Sequence, residues 1–518
     1  MISFSIASAG NSHRTLIFAV AFALLVHSGI THESFADVKR SDFPADFVFG
    51  VATAAAQIEG SPKSEGKGPS VWDQFQRQFP WKIADHSTLD VAIDSYRRYK
   101  EDALALKYLG VDAYRFSIPW TRILPNGTLS GGINQKGIDH YNNLIDELIK
   151  IGVKPFVTLL HFDSPEALEN MYGGFLNRNI VEDFKNYAEI CFKTFGDRVK
   201  HWITVNEPFI IAKFGYTTGS APPGRCSDRK QCPYGNSATE PYIAIHNLLL
   251  AHATAAKLYK EKYQEEQGGV IGMSNVAQYY EPYSNTLADK RAAKRAMDFD
   301  LGWYMEPLVQ GKYPSIMKKM VKDRLPVFTK EEKKLVKGSF DFIGLNYYTS
   351  RYSKNIPTFP KGTPVSPFTD QHVNATVEKD GVLIGPKSEG SSYIYIYPKG
   401  LRKILKYVKK HYGEKIAIYI SENGVTEKRN DTVLTKRVLN DQHRIEFVQK
   451  HLQEITKAIE NGVNVKGYFY WSLFDDFEWT EGYGIRFGLY YVDFADNLKR
   501  IPKQSALWYH NFIKGDQK

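Results

Sequence analysis

One local pattern recurs along these 518 residues and constrains the fold more than any other feature. An amphipathic, helix-compatible stretch ends at Gly, Val follows, and an apolar run begins: "LKYLGVDAYRFS", "LIKIGVKPFVTLL", "EEQGGVIGMSNV" and "IENGVNVKGYFYW". Gly after a helix takes the left-handed conformation that other residues avoid. A run with few polar residues is what a strand covered on both faces of a parallel sheet requires. The preceding stretches keep helical period, with Leu144, Ile145, Leu148 and Ile149 predicted on one face of "YNNLIDELIK". Eight strands are predicted, beginning near Phe47, Ala113, Pro155, His201, Val270, Phe340, Ile416 and Val465, with helical segments between them. Eight β-then-α units predict an α/β fold, a single (β/α)8 TIM barrel with long loops at the C-terminal face of the strands. A doubly wound sheet is the main alternative, but no G-x-G-x-x-G or G-K-[ST] motif follows any strand. No linker divides the chain. The longest irregular region, residues 353–392, is rich in Pro, Gly and Thr and reads as loop over the barrel mouth.

The N-terminus reads as an address. Arg14 precedes eleven apolar residues, Leu16–Val26, too short to span a bilayer and the right length for the core of a signal peptide. Ser34-Phe35-Ala36 fits a cleavage site, so residues 1–36 are expected to be removed and 37–518 to form the barrel domain. No second hydrophobic span follows, so no membrane association is expected after removal. Entry to the secretory pathway gives meaning to Cys226 and Cys232, six apart in "CSDRKQC" within a Pro/Gly-rich stretch, where a disulfide is predicted. Cys191, in an apolar helical stretch, reads as a buried thiol. Sequons at Asn126, Asn374 and Asn430 are candidate glycosylation sites. The net charge of +10 is scattered among acids, which fits solvated surface and not a nucleic-acid face. Three cysteines exclude a disulfide scaffold or a Cys-rich zinc module. No metal or cofactor is expected.

In a TIM barrel the chemistry sits at the C-terminal ends of the strands. Those ends carry, in order, Gln57, Arg115, His161, Asn206 with Glu207, Asn275, Asn346 with Tyr348, Glu422 with Asn423, and Trp471. A core would place Val or Leu there. One strand-end His or Glu has an ordinary explanation as a hydrogen-bonder or a solvated charge, but so many converging on one mouth do not. Glu207 in "ITVNEP" and Glu422 in "IYISENG" belong to the fourth and seventh strands and can face each other across the barrel. Two opposed carboxyls among sugar-binding groups are the requirement of glycoside hydrolysis. One must be protonated and the other ionised, so their surroundings must push them apart. Arg115, on a neighbouring strand, offers Glu422 a cation.

Together "ITVNEP", "ISENG", "QIEG", "MYGGFL", "HNLLLAH", "GLNYYT", "FEW" and "RFG" resemble a plant β-glucosidase of glycoside hydrolase family one, over residues 42–513. The resemblance implies Glu207 as general acid/base and Glu422 as nucleophile of a retaining β-glucosidase acting on small-molecule glucosides. It implies that Gln57, His161, Asn206, Trp471, Glu478 and Trp479 hold the glucosyl ring, that Tyr348 hydrogen-bonds the nucleophile, and that Phe487 walls the pocket; Asn346 and Arg115 support it. Four positions depart from the family's pattern: Ala56 for Tyr, Phe162 for Trp, Phe209 for Trp, and Tyr393 for an aglycone-stacking Trp. None is a carboxylate, so catalysis is expected and the aglycone stays open. The alternatives are a transglucosidase on the same site and an inactive carbohydrate-binding relative, the second opposed by the presence of both carboxylates. The expected partner is a glucoside, and homo-oligomerisation stays open. The signal segment leads to apoplast, vacuole or an ER-derived body.

Overall fold

Eight parallel strands close into a barrel in a computed structural model that describes residues 38–432 and 435–515. They are β1 (Val48–Ala52), β2 (Ala113–Ser117), β3 (Lys154–Leu160), β4 (His201–Asn206), β5 (Val270–Val276), β6 (Phe342–Asn346), β7 (Ala417–Asn423) and β8 (Val465–Trp471). Neighbours in the chain are neighbours in the barrel, and β8 pairs with β1 from Val48↔Gly467 to Ala52↔Trp471. Every strand begins within two residues of its predicted start. The main outer helices are α1 (Ser95–Leu109), α2 (Gln135–Lys150), α3 (Asn179–Phe195), α4 (Glu240–Lys262), α5 (Leu287–Phe299), α6 (Pro398–Tyr412), α7 (Gln442–Glu460) and α8 (Gln504–Lys514). The recurrent glycines act as expected: Gly110, Gly152, Gly268 and Gly462 have φ of 68°, 81°, 62° and 72°. The signal segment expected over 1–36 lies outside the described residues.

The lower barrel is filled by aromatic side chains. Phe156 of β3 stacks on His201 of β4 at 3.9 Å, and Phe342, Tyr419 and Phe469 pack edge-on or tilted around them. That plug makes the lower barrel a packed core, and the cavity lined by the strands' C-terminal ends opens above it. Gly50 has no side chain because a Cβ there would meet the Phe469 ring at 2.5 Å.

Three expectations change. The apolar face of α2 is narrower than read: Ile138, Tyr141, Ile145 and Leu148 are buried, whereas Leu144 is half-buried and Ile149 is 46% exposed. Ile149 stands 100° around the helix from Leu148, outside the stripe that meets β3. The first strand stops at Ala52, and the alanine run after it turns into a short helix, Ala55–Ile58, that carries Gln57. Residues 353–392 are not plain loop. Ser350–Asn355 pairs with Val373–Thr376 and with Tyr279–Pro282 in a small sheet, and a two-stranded ribbon follows at Glu378–Lys379 and Val382–Leu383. Sheet pairing satisfies backbone groups that a bare insertion would leave to water.

Cys226 and Cys232 form a disulfide with Cα atoms 5.5 Å apart, and Cys191 is a fully buried free thiol. The sequon residues Asn126, Asn374 and Asn430 are exposed. Among the described residues no helix is long and apolar enough to cross a membrane.

Candidate active site

Two backbone irregularities aim the site. On β7, Ile420 pairs with Leu345 of β6 and Glu422 pairs with the next residue, Asn346, so Ser421 is an extra residue. A bulge of this kind breaks the strict in-and-out alternation and re-aims side chains. Ser421 Oγ can then donate inward to Asn346 Oδ1 at 2.6 Å while Glu422 also faces the interior. A second shift in register lies on β4 between Ile203 and Asn206. Directly after it Glu207 adopts φ 45°, ψ 62°, a left-handed conformation that is sparsely populated for residues other than Gly. Asn206 and Glu207 are adjacent in sequence, and both present polar atoms to the same interior.

Arg115 joins these groups. It is the third residue of β2 rather than its end, and its length carries the guanidinium up to the mouth. Fully buried, it donates from Nη1 to Glu422 Oε1 at 2.5 Å, from Nη2 to Asn206 Oδ1 at 2.7 Å and from Nε to Thr158 Oγ1 at 3.2 Å. Tyr348, two residues beyond β6, donates its hydroxyl to Glu422 Oε2 at 2.7 Å. Each oxygen of Glu422 therefore receives a donor, one of them a cation. Glu207 receives one neutral donor, Asn346 Nδ2, at 2.7 Å. Burial pushes the Glu207 carboxyl well above the usual carboxylate range, the charge on Glu422 adds to this, and the Asn346 bond only partly offsets it. The two carboxyls thus stand in unequal surroundings, one buried against a single neutral amide and the other paired with a buried guanidinium.

Asn346 is itself fixed. Its amide also donates to Asn206 Oδ1 at 3.0 Å, and its Oδ1 acceptor is the end of a chain that runs from Ser274 through Ser421. Gly344 leaves room for that chain, because a Cβ there would stand 2.1 Å from Ser274 Oγ. Asn206 Oδ1 accepts from both Arg115 and Asn346, so its nitrogen donates to His161 Nε2 at 3.1 Å. Burial and the Arg115 charge hold His161 neutral, well below its ordinary pKa, which leaves its proton on Nδ1. That Nδ1 has no partner among the described residues.

Above the carboxyls opens a cavity of about 410 Å³ lined by Glu207, Glu422, His161, Tyr348, Trp471, Glu478 and Trp479, and further out by Tyr393. Trp471, at the end of β8, lies face to face with His161 at 5.7 Å, and Trp479 does so from 6.0 Å. Gln57 donates to Glu478 Oε2 at 3.0 Å, Asp476 Oδ1 at 3.2 Å and the Phe477 carbonyl at 2.9 Å, and its Oε1 has no partner. Burial pushes Glu478 up to about 8, with the Gln57 bond opposing, and pushes Asp476 up as well.

The structure gathers most of the residues expected at the site, and Phe487 and Asn275 are exceptions. Phe487 is buried behind Tyr348, ring centroids 6.1 Å apart, and does not line the cavity. It packs in the cluster with Ile394 and Ile485, where it backs the wall instead of forming it. Tyr393 is 40% exposed and stands at the mouth. Asn275, named from the end of β5, is fully buried and away from the cavity lining, with neither side-chain polar atom partnered among the described residues. Several residues of the site went unnamed in the sequence: Trp72, which packs on Trp479 at 4.9 Å, Asp476, Ser421, Lys213 and Arg351. Lys213 carried a signal, a lone charge inside the apolar run "FIIAKFGY".

The sequence model of Glycosyl hydrolase family 1 matches residues 39–518. Beta-glucosidase 24 of Oryza sativa subsp. japonica is 54% identical over 478 residues, 92% of this chain and 94% of the relative. The furostanol glycoside 26-O-beta-glucosidase of Hellenia speciosa is 53% identical, over 92% of this chain and 84% of the relative. Among solved structures, the rice Os3BGlu6 β-glucosidase is similar with a TM-score of 0.90 at 46% identity, covering 92% of this chain and 99% of that one. A mutant of the rice enzyme was solved in a covalent complex with glucose and has a TM-score of 0.89.

Proposed function

This chain belongs to glycosyl hydrolase family 1 and is an O-glycosyl hydrolase, a β-glucosidase; from that premise we propose that it hydrolyses β-D-glucosides of small plant metabolites by double displacement, with Glu422 as nucleophile and Glu207 as acid/base. The observation that carries this reading is the unequal environment of the two carboxyls: Arg115 and Tyr348 on Glu422, burial and a single amide on Glu207. The covalent glucose complex of the rice relative supports it, as do the substrates in the names of two relatives, a furostanol glycoside and raucaffricine.

In the first step a Glu422 oxygen attacks the anomeric carbon while Glu207 passes its proton to the departing aglycone oxygen. In the transition state the ring gains cationic character beside the Glu422 carboxylate; once the ester has formed, Arg115 and Tyr348 have lost their anionic partner and the negative charge rests on Glu207. In the second step Glu207, now a base, takes a proton from water, and that water displaces Glu422. Configuration is retained after two inversions. Proton NMR of the first product checks this: β-glucose is expected, and α-glucose would overturn the mechanism.

Glu478 and Gln57 are read as the clamp on the sugar hydroxyls, and Trp471 as the platform under its apolar face. Gln57 Oε1, without a partner in the protein, is an acceptor for a hydroxyl. Glu478→Ala is expected to lower kcat/KM on glucosides by more than about tenfold, the loss of the carboxyl's hydrogen bonds to the sugar in the transition state. Galactosides and fucosides should fall by different factors, because their fourth or sixth hydroxyls differ. Steady-state kinetics on the three glycones measures it, and equal losses would make the residue a support of the fold alone.

We further infer passage through the secretory pathway to apoplast, vacuole or an ER-derived body. The Cys226–Cys232 disulfide and the exposed sequons support this. A mass loss on enzymatic deglycosylation of the native protein checks it.

A further inference from the structure

The loop that follows Glu207 carries a charge with no use in the glucose chemistry. Pro208–Ile210 runs into a π-helical turn, Ile211–Thr217, and the wider turn directs Lys213 into the cavity wall. Its ammonium sits among three phenyl rings, 4.9 Å from the centroid of Phe214, 5.7 Å from Phe368 and 5.9 Å from Phe209. Among the described residues no carboxylate pairs with it and it donates no hydrogen bond to the protein. Asp300 is the acid that acts on it most strongly, but the two form no ion pair: the Asp300 carboxyl accepts from the Tyr280 hydroxyl at 2.9 Å, while Tyr304 spends its proton on the Val276 carbonyl at 2.5 Å. None of the five glutamates of the cavity wall, Glu169, Glu207, Glu422, Glu478 and Glu481, forms an ion pair with Lys213 among the described residues.

A second cation lies in the same wall. Arg351, on Ser350–Asn355, is held by Thr349 Oγ1 and the Ser350 carbonyl, each at 2.8 Å, and by the Tyr393 carbonyl at 2.6 Å. All three partners are neutral. Burial pushes the Lys213 pKa below its ordinary value, Asp300 opposes this, and the charge of Arg351 adds a smaller push in the same direction as burial. A half-buried ammonium and guanidinium with no carboxylate in direct contact are unfavourable in the empty site and favourable once an anion enters.

We propose that Lys213, with Arg351 beside it, forms an anion subsite in the aglycone pocket, so that the preferred substrates are glucosides whose aglycone carries a carboxylate. The phenyl rings around the ammonium suit an acid borne on a flat or cyclic body. The proposal rests on the β-glucosidase reading and narrows its substrate class.

The test uses phenyl β-glucosides with a carboxylate at the ortho, meta or para position, and longer carboxymethyl homologues, each paired with its carboxamide. The carboxamide withdraws electrons more strongly, so leaving-group chemistry alone favours the amide. The wild type is expected to prefer at least one acid over its amide by about tenfold or more in kcat/KM, the range of a hydrogen bond to a charged group. Lys213→Met should bring that ratio close to one, Lys213→Glu should invert it, and Lys213→Arg should retain it, with circular dichroism confirming that each variant folds. The proposal is overturned if every amide equals or beats its acid in the wild type, or if Lys213→Met keeps the preference. Should no aryl β-glucoside turn over, the catalytic reading fails, and calorimetry with hydroxybenzoates against hydroxybenzamides still decides the subsite. Tighter binding of the acid, lost in Lys213→Met, supports it, and equal binding overturns it.

Discussion

Glu422→Gly is expected to lose turnover on every β-glucoside, including those with the best leaving groups, by on the order of 10⁴-fold or more, about 5.5 kcal/mol of barrier. No leaving group can replace the atom that attacks the anomeric carbon, so activated substrates are not spared. The structure adds a second cost. Arg115 is fully buried, and Glu422 is its only carboxylate partner among the described residues. Removing one member of a buried pair leaves the other uncompensated, at about 3–5 kcal/mol. Glu422→Gln, which keeps the shape and two polar atoms, separates the two effects: it should be nearly as inactive but less destabilised in a denaturant titration. Azide can occupy the space left by glycine, beside Arg115, and attack a fluoride or dinitrophenyl glucoside from the nucleophile's side. The product expected is α-glucosyl azide. Formation of the β anomer by this variant would mean that Glu422 is the acid/base.

How far the sequence led is best seen at these same residues. The strands could be read because each is a local apolar run, four of them opened by a helix-ending glycine, and a run needs no distant partner to be recognised. Glu207 and Glu422 could be read because each directly follows such a run. The reason they face one another could not. It lies in the extra residue at Ser421 and in the left-handed backbone of Glu207, and both depend on pairing with the next strand. Arg115 was placed at a strand end by its neighbourhood, although it works from mid-strand through its length. Phe487 was placed in the pocket by the resemblance, whereas packing against Tyr348 sets it behind. Lys213 stands in a π-helical turn and Arg351 on a strand outside the barrel, Ser350–Asn355, which pairs with a segment some seventy residues earlier.

Glu207→Gly should fail in a different way, and the difference identifies its role. With a strongly acidic leaving group such as dinitrophenolate, departure needs little proton assistance, so the glucosyl intermediate still forms and kcat/KM should stay within about tenfold of wild type. With an alkyl or unactivated phenyl glucoside it should fall by about 10³-fold or more, at the upper end of general acid catalysis. The second step lacks its base on every substrate. The intermediate therefore accumulates, and kcat and KM fall together for the activated glucosides. Azide needs no general base. It should accelerate this variant and give β-glucosyl azide, the opposite anomer to that from Glu422→Gly. The pH profile supplies an independent check. Burial and the charge on Glu422 raise the pKa of Glu207, so its acid form persists above the usual carboxylate range and is lost as pH rises through the raised value. In the wild type this loss is the alkaline limb of kcat/KM. Glu207→Gly should lose that limb on dinitrophenyl glucoside, because no proton remains to be donated there. A variant that keeps the limb, gains nothing from azide and loses activated and unactivated substrates equally would remove Glu207 from the acid/base role.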